Sequence, residues 1–121
     1  MKKDENLKIA IKRAYVPDPK NSKIELQKIT GYFYEYNDLQ FCICFADGTW
    51  YAIELQTGHS AAGYDPEVND TDEYCIEEVK QLMGRRDKSM YDQYVNLVKT
   101  KMRQDGFKIP LNKKIQPDGN N

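Results

Sequence analysis

The residues of this sequence that could bind a metal ion are three cysteines and one histidine. Cys42, Cys44, Cys75 and His59 form a Cys3His set, and four such ligands are what a tetrahedral structural zinc requires. Their spacing matches no zinc ribbon or finger, and free cysteine more often behaves as a small buried hydrophobic residue. A disulfide between Cys42 and Cys44 is not expected, because residues i and i+2 of a strand lie roughly 6.5–7 Å apart at Cα. We therefore expect core cysteines, no metal and no cofactor.

Catalysis by a histidine would have to use His59, since the chain contains no other histidine. The serine that follows it is adjacent in sequence, and adjacent side chains do not reach the geometry of a catalytic Ser–His pair. The carboxylate pairs Asp70/Asp72 and Glu77/Glu78 are typical of a solvated helix N-terminus. The chain contains no complete phosphate-binding glycine motif. A small enzyme centred on His59 is therefore the third of three function hypotheses.

Acidic and basic residues are segregated along the chain, although the net charge is only −1. Residues 31–79 contain eleven acidic and no basic residues. Residues 1–30 contain eight bases and four acids, and residues 80–121 contain ten bases and four acids. Two interpretations stay open. The segments neutralise each other within the fold, or they form an acidic and a basic surface, each directed at a partner.

The elements that would position these residues begin with a meander of strands. Runs rich in β-branched and aromatic residues predict strands at 24–36, 39–46 and 49–55. Asp47-Gly48 is a favoured pair for a two-residue type I′ turn. Asn37-Asp38 interrupts the apolar pattern before it, and a second register follows if this pair is also a two-residue turn. Alternating apolar residues at 7–11 fit either a fourth strand or a short helix.

Two amphipathic helices are predicted after the strands, with Gly84 and Gly106 as their terminators. The fold class is therefore α+β, an antiparallel meander of three to four strands followed by two helices packed on the sheet. The 121 residues suffice for one domain, which we assign to residues 1–115, with a disordered tail at 116–121.

The two turns fix the register and divide the side chains between two sheet faces. Phe45 is expected opposite Trp50, and Tyr34 opposite Phe41, which gathers most aromatic residues on one face. The other face carries smaller residues and is expected to pack against the helices, which leaves the aromatic face to the N-terminal segment or to another molecule. The competing interpretation is that the second helix crosses to the aromatic face, which is then simply core. The predicted contact surface consists of Tyr32, Tyr34, Tyr36, Phe45 and Trp50, rimmed by Glu35, Asp38 and Glu54.

The main function hypothesis is a non-catalytic binding or accessory protein that acts through this acidic, tyrosine-rich surface. Its partner would be a protein with a basic groove, or a second copy of the chain. A nuclease inhibitor or nucleic-acid mimic encoded by a phage or mobile element fits this surface. The strand and turn from Trp50 to Gly58 resemble those of small phage-type α+β proteins, a resemblance too short to imply a function.

The alternative is a nucleic-acid-associated protein that uses the basic C-terminal half. Its candidate patch consists of Arg85, Arg86, Lys88, Lys99, Lys101 and Arg103. Binding would be weak, because a sheet without cations neutralises no phosphates. No apolar run is long enough to span a membrane, and the charged N-terminus is unlike a signal peptide. A cytoplasmic protein is expected.

Overall fold

A computed structural model of the chain describes residues 7–15, 20, 23–62, 71–85 and 88–115, with the side chains of residues 83–90 excepted. The described elements are five strands and then two helices: β1 (Lys8–Tyr15), β2 (Glu25–Tyr36), β3 (Leu39–Ala46), β4 (Thr49–Glu54), β5 (Ser60–Ala62), α1 (Asp72–Arg85) and α2 (Lys88–Gln104). The predicted α+β class is confirmed, with a slightly higher strand count than expected. The tail assigned to residues 116–121 lies outside the described residues.

The five strands form one antiparallel sheet in the order β1-β2-β3-β4-β5. Phe45 is paired with Trp50, and Tyr34 is paired with Phe41, so the predicted register is confirmed. Asp47-Gly48 has the predicted backbone, with φ of 54° and 83°, and Asn37-Asp38 forms a turn of the same kind, with φ of 51° and 68°. These positive angles are what a type I′ turn requires at both central positions.

The N-terminal segment is a strand, which settles the ambiguity at residues 7–11. β1 pairs with the first half of β2, from Lys8 opposite Tyr32 to Tyr15 opposite Glu25. β2 passes from this pairing to β3 at Tyr32, which is paired with both Lys8 and Ile43. At the preceding Gly31, a Cβ would lie 2.4 Å from the backbone oxygen of Ile43. Only glycine permits so close an approach of two strands.

The sheet has a hydrophobic cluster on each face. The helix-covered face joins sheet residues Tyr34, Phe41 and Ile43 to helix residues Cys75, Val79, Tyr91 and Val95. The opposite cluster, which we call the inner face, contains Ile9, Ile11, Phe33, Cys42, Cys44, Ile53 and Leu55. The residues therefore divide between the faces as the register predicts.

The expectation that the helices cover the smaller face is wrong. Ile9 and Ile11 of β1 pack against Cys42 and Cys44 in the inner-face cluster. β1 also reaches the turn after β4, where the Ala14 amide donates to the Gly58 carbonyl at 2.9 Å. Because the β1–β2 half takes the smaller face, the larger aromatic face is left for the helices to cover.

Residues 107–115 follow α2 as a segment that we call the C-terminal strap. Asn112 accepts the Lys12 amide at 2.8 Å and donates to the carbonyls of Lys12 and Leu55, each at 2.9 Å. Gln40 donates to the Ile115 carbonyl at 2.9 Å and accepts its amide at 2.8 Å. Two amide side chains thus imitate strand pairing, and they fix the strap to the sheet.

Candidate functional site

The predicted aromatic surface is not a single free surface. Tyr34 is only 5% exposed and lies in the cluster beneath the helices. Tyr36 and Trp50 are half-buried and pack against the same cluster, and Tyr32 is half-buried with the Lys8 ammonium 5.9 Å from its ring centre. Phe45 alone among the five is largely exposed, at 57%. The five residues therefore do not form one exposed surface, because the helices cover part of it and Phe45 stays exposed.

The three acidic residues of the predicted rim also differ in exposure. Asp38 is exposed and Glu35 is half-buried, whereas Glu54 is 1% exposed. The Glu54 carboxylate accepts the amide of Gln56 at 2.7 Å, the amide of Thr57 at 3.0 Å and the Thr57 hydroxyl at 2.9 Å. The expectation that Glu54 borders an exposed contact surface is therefore wrong, because its carboxylate satisfies the buried turn after β4.

The turn that Glu54 organises also positions the single histidine. The Glu54 amide donates to the His59 carbonyl at 2.8 Å, and the His59 amide donates to the Thr57 hydroxyl at 3.2 Å. His59 Nδ1 lies 3.1 Å from the Thr57 carbonyl oxygen, which can only accept. Nδ1 therefore carries a proton in this bond, and in the neutral ring Nε2 is an acceptor.

The basic patch is only partly described. Arg86 lies outside the described residues, as do the side chains of Arg85 and Lys88. Lys99 donates to Gln56 Oε1 at 2.9 Å, which ties α2 to the turn after β4. Lys101 and Arg103 are exposed in the last turn of α2. The described part of the patch thus offers two solvent-exposed cations on one helix.

A groove of about 480 Å³ runs beside α2, and we call it the α2 groove. Its lining includes Tyr94, Leu97, Val98, Lys101 and the buried Met102 of α2, together with Ile24, which precedes β2, and His59, which precedes β5. Tyr94 is 50% exposed and Leu97 is 70% exposed. The volume is within the range of sites that bind small molecules or side chains of a partner.

The sequence signal for this groove is a pair of apolar residues on α2, Tyr94 and Leu97. Tyr91, Val95 and Met102 form the buried stripe of α2, as the helical spacing predicts. Tyr94 and Leu97 lie outside that stripe, and an amphipathic helix at the edge of a fold needs only one apolar stripe to pack. The contributions of Ile24 and His59 depend on tertiary structure, and no local pattern indicates them.

The cysteines are buried in two different places. Cys75 belongs to the cluster under the helices, whereas Cys42 and Cys44 belong to the inner face. None of the three forms a disulfide. No group of three or more His, Cys, Asp or Glu side chains in the described part of the chain is arranged to hold a metal ion.

A buried arginine lies beside the thiol pair. Arg13 is 7% exposed, and its guanidinium lies 4.8 Å from the ring centre of Tyr51. A hydrogen bond with the Cys42 thiol lowers the pKa of Cys44, and the Arg13 charge lowers it further against the effect of burial. The same thiol bond, together with burial, raises the pKa of Cys42. Cys44 is therefore the more acidic of two thiols that solvent does not reach.

Comparisons with known proteins supply no family for this chain. No family model matches it, and neither the curated proteins nor the solved structures contain a significant match. No helix in the described ranges is long and apolar enough to cross a membrane. We therefore infer a function from the residues around the α2 groove.

Proposed function

We propose that this chain is a non-catalytic binding protein that acts through protein contacts, with the α2 groove as its contact surface. The observation that carries the proposal is the second apolar stripe of α2. Tyr94 and Leu97 are 50% and 70% exposed, although the buried stripe already attaches the helix to the fold. Single exposed apolar residues are common, but apolar residues that line a concave surface together are typical of an interaction site.

This proposal moves the contact surface from the sheet to the helices. Tyr34 and Phe41 are buried in the core with α1 and α2, and Tyr36 and Trp50 pack against it. Tyr94 and Leu97 of the α2 groove are exposed, so their apolar character has no comparable packing role. Tyrosine suits such a position, because its ring can be buried by a partner while its hydroxyl stays solvated.

The test compares two tyrosines of similar exposure on different helices. We would replace Tyr94 and Leu97 together by glutamine, and in a control replace Tyr74 of α1, which is 54% exposed. Glutamine preserves helix propensity. We expect the groove variant to capture at least about tenfold less partner from the source cell, and to change the melting temperature by only about 2 °C. The control should keep both properties.

A different result would contradict the proposal. If the double variant lost about 10 °C of melting temperature, Tyr94 and Leu97 would contribute to the core. If it bound partners as well as the parent chain does, the groove would not be the contact surface.

Binding to nucleic acid through the basic end of α2 is the second candidate function. Lys99, Lys101 and Arg103 occur with no acidic residue between positions 93 and 104. Lys101 and Arg103 are exposed, so we expect weak binding whose logarithm falls with log salt at a slope of about −2 to −3. A Lys101→Glu, Arg103→Glu variant should abolish the mobility shift of a DNA duplex. Tight binding that survives this change would exclude the patch.

A further inference from the structure

We propose that the α2 groove takes an acidic amphipathic helix of a partner protein, an inference that rests on the proposed function. The groove is bordered along one side by residues from successive turns of α2, namely Tyr94, Leu97, Val98 and Lys101. A long apolar depression beside a helix matches the ridge of apolar side chains that a second helix presents at positions i, i+3, i+4 and i+7.

The charge around the groove selects an acidic partner. Positions 93–104 of α2 contain three basic residues and no acidic residue. Lys101 lines the groove itself and is exposed, and Arg103, two residues further along α2, is exposed as well. Glutamate or aspartate beside the apolar ridge of a partner helix would meet Lys101 at the rim. The sequence suggested a partner with a basic groove, whereas here the groove and the basic charge belong to this chain.

His59 adds a polar group to the lining of the groove. The bond from Nδ1 to the Thr57 carbonyl, 3.1 Å long, holds the ring in one tautomer. In the neutral ring Nε2 is therefore an acceptor. A hydroxyl or amide on the partner helix would match it, and this contact would fix the register of the helix without contributing most of the affinity.

The experiment uses the full chain and two synthetic helical peptides as probes. Both carry leucine at i, i+3, i+4 and i+7; one has glutamate at the other positions and one has lysine. By fluorescence anisotropy we expect the glutamate peptide to bind at least about tenfold more tightly than the lysine peptide. The preference should shrink in high salt, because exposed charges are screened.

Variants locate the binding site of the probe. Leu97→Gln should weaken binding of the glutamate peptide by about tenfold or more, as expected for a central apolar contact. Lys101→Glu should weaken it and should strengthen binding of the lysine peptide. Tyr74→Gln and Lys80→Glu, both at exposed positions of α1, are the matched controls and should change binding by less than about twofold.

The contradicting results separate this inference from the proposed function. Equal binding of both peptides, binding that Leu97→Gln does not change, or no binding would each overturn the acidic-helix partner. Self-association of the chain that Leu97→Gln abolishes would identify a second copy as the occupant and would also overturn it. If Leu97→Gln still reduced capture of a cellular partner while the peptides failed, the groove would remain a contact surface for a different kind of protein.

Discussion

Two apolar surfaces of this protein differ in whether the rest of the chain covers them. The aromatic face of the sheet contains Phe41 at 0% exposure and Tyr34 at 5%, because α1 and α2 pack over it. The outer stripe of α2 contains Leu97 at 70% exposure. The stripe lies beside a groove that no described element of the chain fills.

The difference shows that apolar character does not by itself identify a contact surface. What decides is whether another element of the same chain covers the residues. On the sheet, β1 takes the inner face and the helices take the aromatic face, so both faces are covered within the fold except at Phe45, which is 57% exposed. On α2, the stripe of Tyr91, Val95 and Met102 is buried, whereas Tyr94 and Leu97 of the second stripe are exposed. The second stripe is therefore the better candidate for binding.

The largest expected effect is a loss of stability when a residue of the buried aromatic face is truncated. Phe41→Ala should lower the free energy of unfolding by about 3–5 kcal/mol, because it removes a fully buried aromatic ring and leaves a cavity. Leu97→Ala should change it by no more than about 0.5 kcal/mol. Urea unfolding measures both quantities. Similar losses for the two variants would show that the α2 stripe is also core, and the comparison would fail.

A second large effect is expected at Glu54. Glu54→Ala removes the acceptor of three hydrogen bonds from Gln56 and Thr57 and should lower the free energy of unfolding by about 3 kcal/mol. Asp38→Asn is the control, because residue 38 is exposed and asparagine tolerates its positive φ; it should cost less than about 0.5 kcal/mol. If the two variants were equally stable, Glu54 would act at the rim as the sequence suggested.

Much of the sheet could be predicted because its determinants are local. Turn chemistry at Asp47-Gly48 fixes the pairing of Phe45 with Trp50, and the period of two then assigns every neighbouring side chain to a face. Which element covers each face depends on contacts between distant segments. The folding of β1 over Cys42 and Cys44, and the close approach at Gly31, have no local signature. The predicted site was therefore placed on the face that the helices cover.

The burial of Glu54 could not be predicted for a related reason. Glu54 alternates with apolar neighbours in β4, as a solvent-facing residue would. The one nearby cue in the sequence is the turn pair Thr57-Gly58, which does not indicate that a carboxylate is buried beside it. The carboxylate is buried because it accepts the amides of that turn. An acidic residue just before a turn can therefore be a structural acceptor, and charge counting cannot distinguish that role from a surface charge.

An intermediate effect is expected at the C-terminal strap. Asn112→Ala removes three hydrogen bonds to β1 and the end of β4 and should destabilise the strap by about 1–2 kcal/mol. Because the Leu111 amide donates to the Gln56 carbonyl at 2.8 Å, its hydrogen exchange should accelerate. Lys113→Ala, at an exposed neighbouring position, is the control. Unchanged exchange at Leu111 would show that Asn112 does not hold the strap.

The smallest effect concerns the tyrosine that the sequence placed on a free surface. Burial, followed by the charges of Tyr36 and Glu77, raises the pKa of Tyr34 above its ordinary value of 10.0. The folded chain therefore keeps this proton at a pH where the unfolded chain has released it. The stabilisation that results is fully present below the unfolded pKa and is lost as the pH rises through the folded pKa.

Tyr34→Phe removes this titration while it keeps the ring. Between pH values of about 8 and 11, we expect the free energy of unfolding of Tyr34→Phe to fall less steeply than that of the parent chain. Titrating groups that do not interact with Tyr34 contribute equally to both proteins and cancel, so the difference reports on Tyr34 and on its coupling to Tyr36 and Glu77. If Tyr34→Phe retained the slope of the parent chain, Tyr34 would ionise in the folded chain as it does in the unfolded chain, and the aromatic face would be open as the sequence suggested.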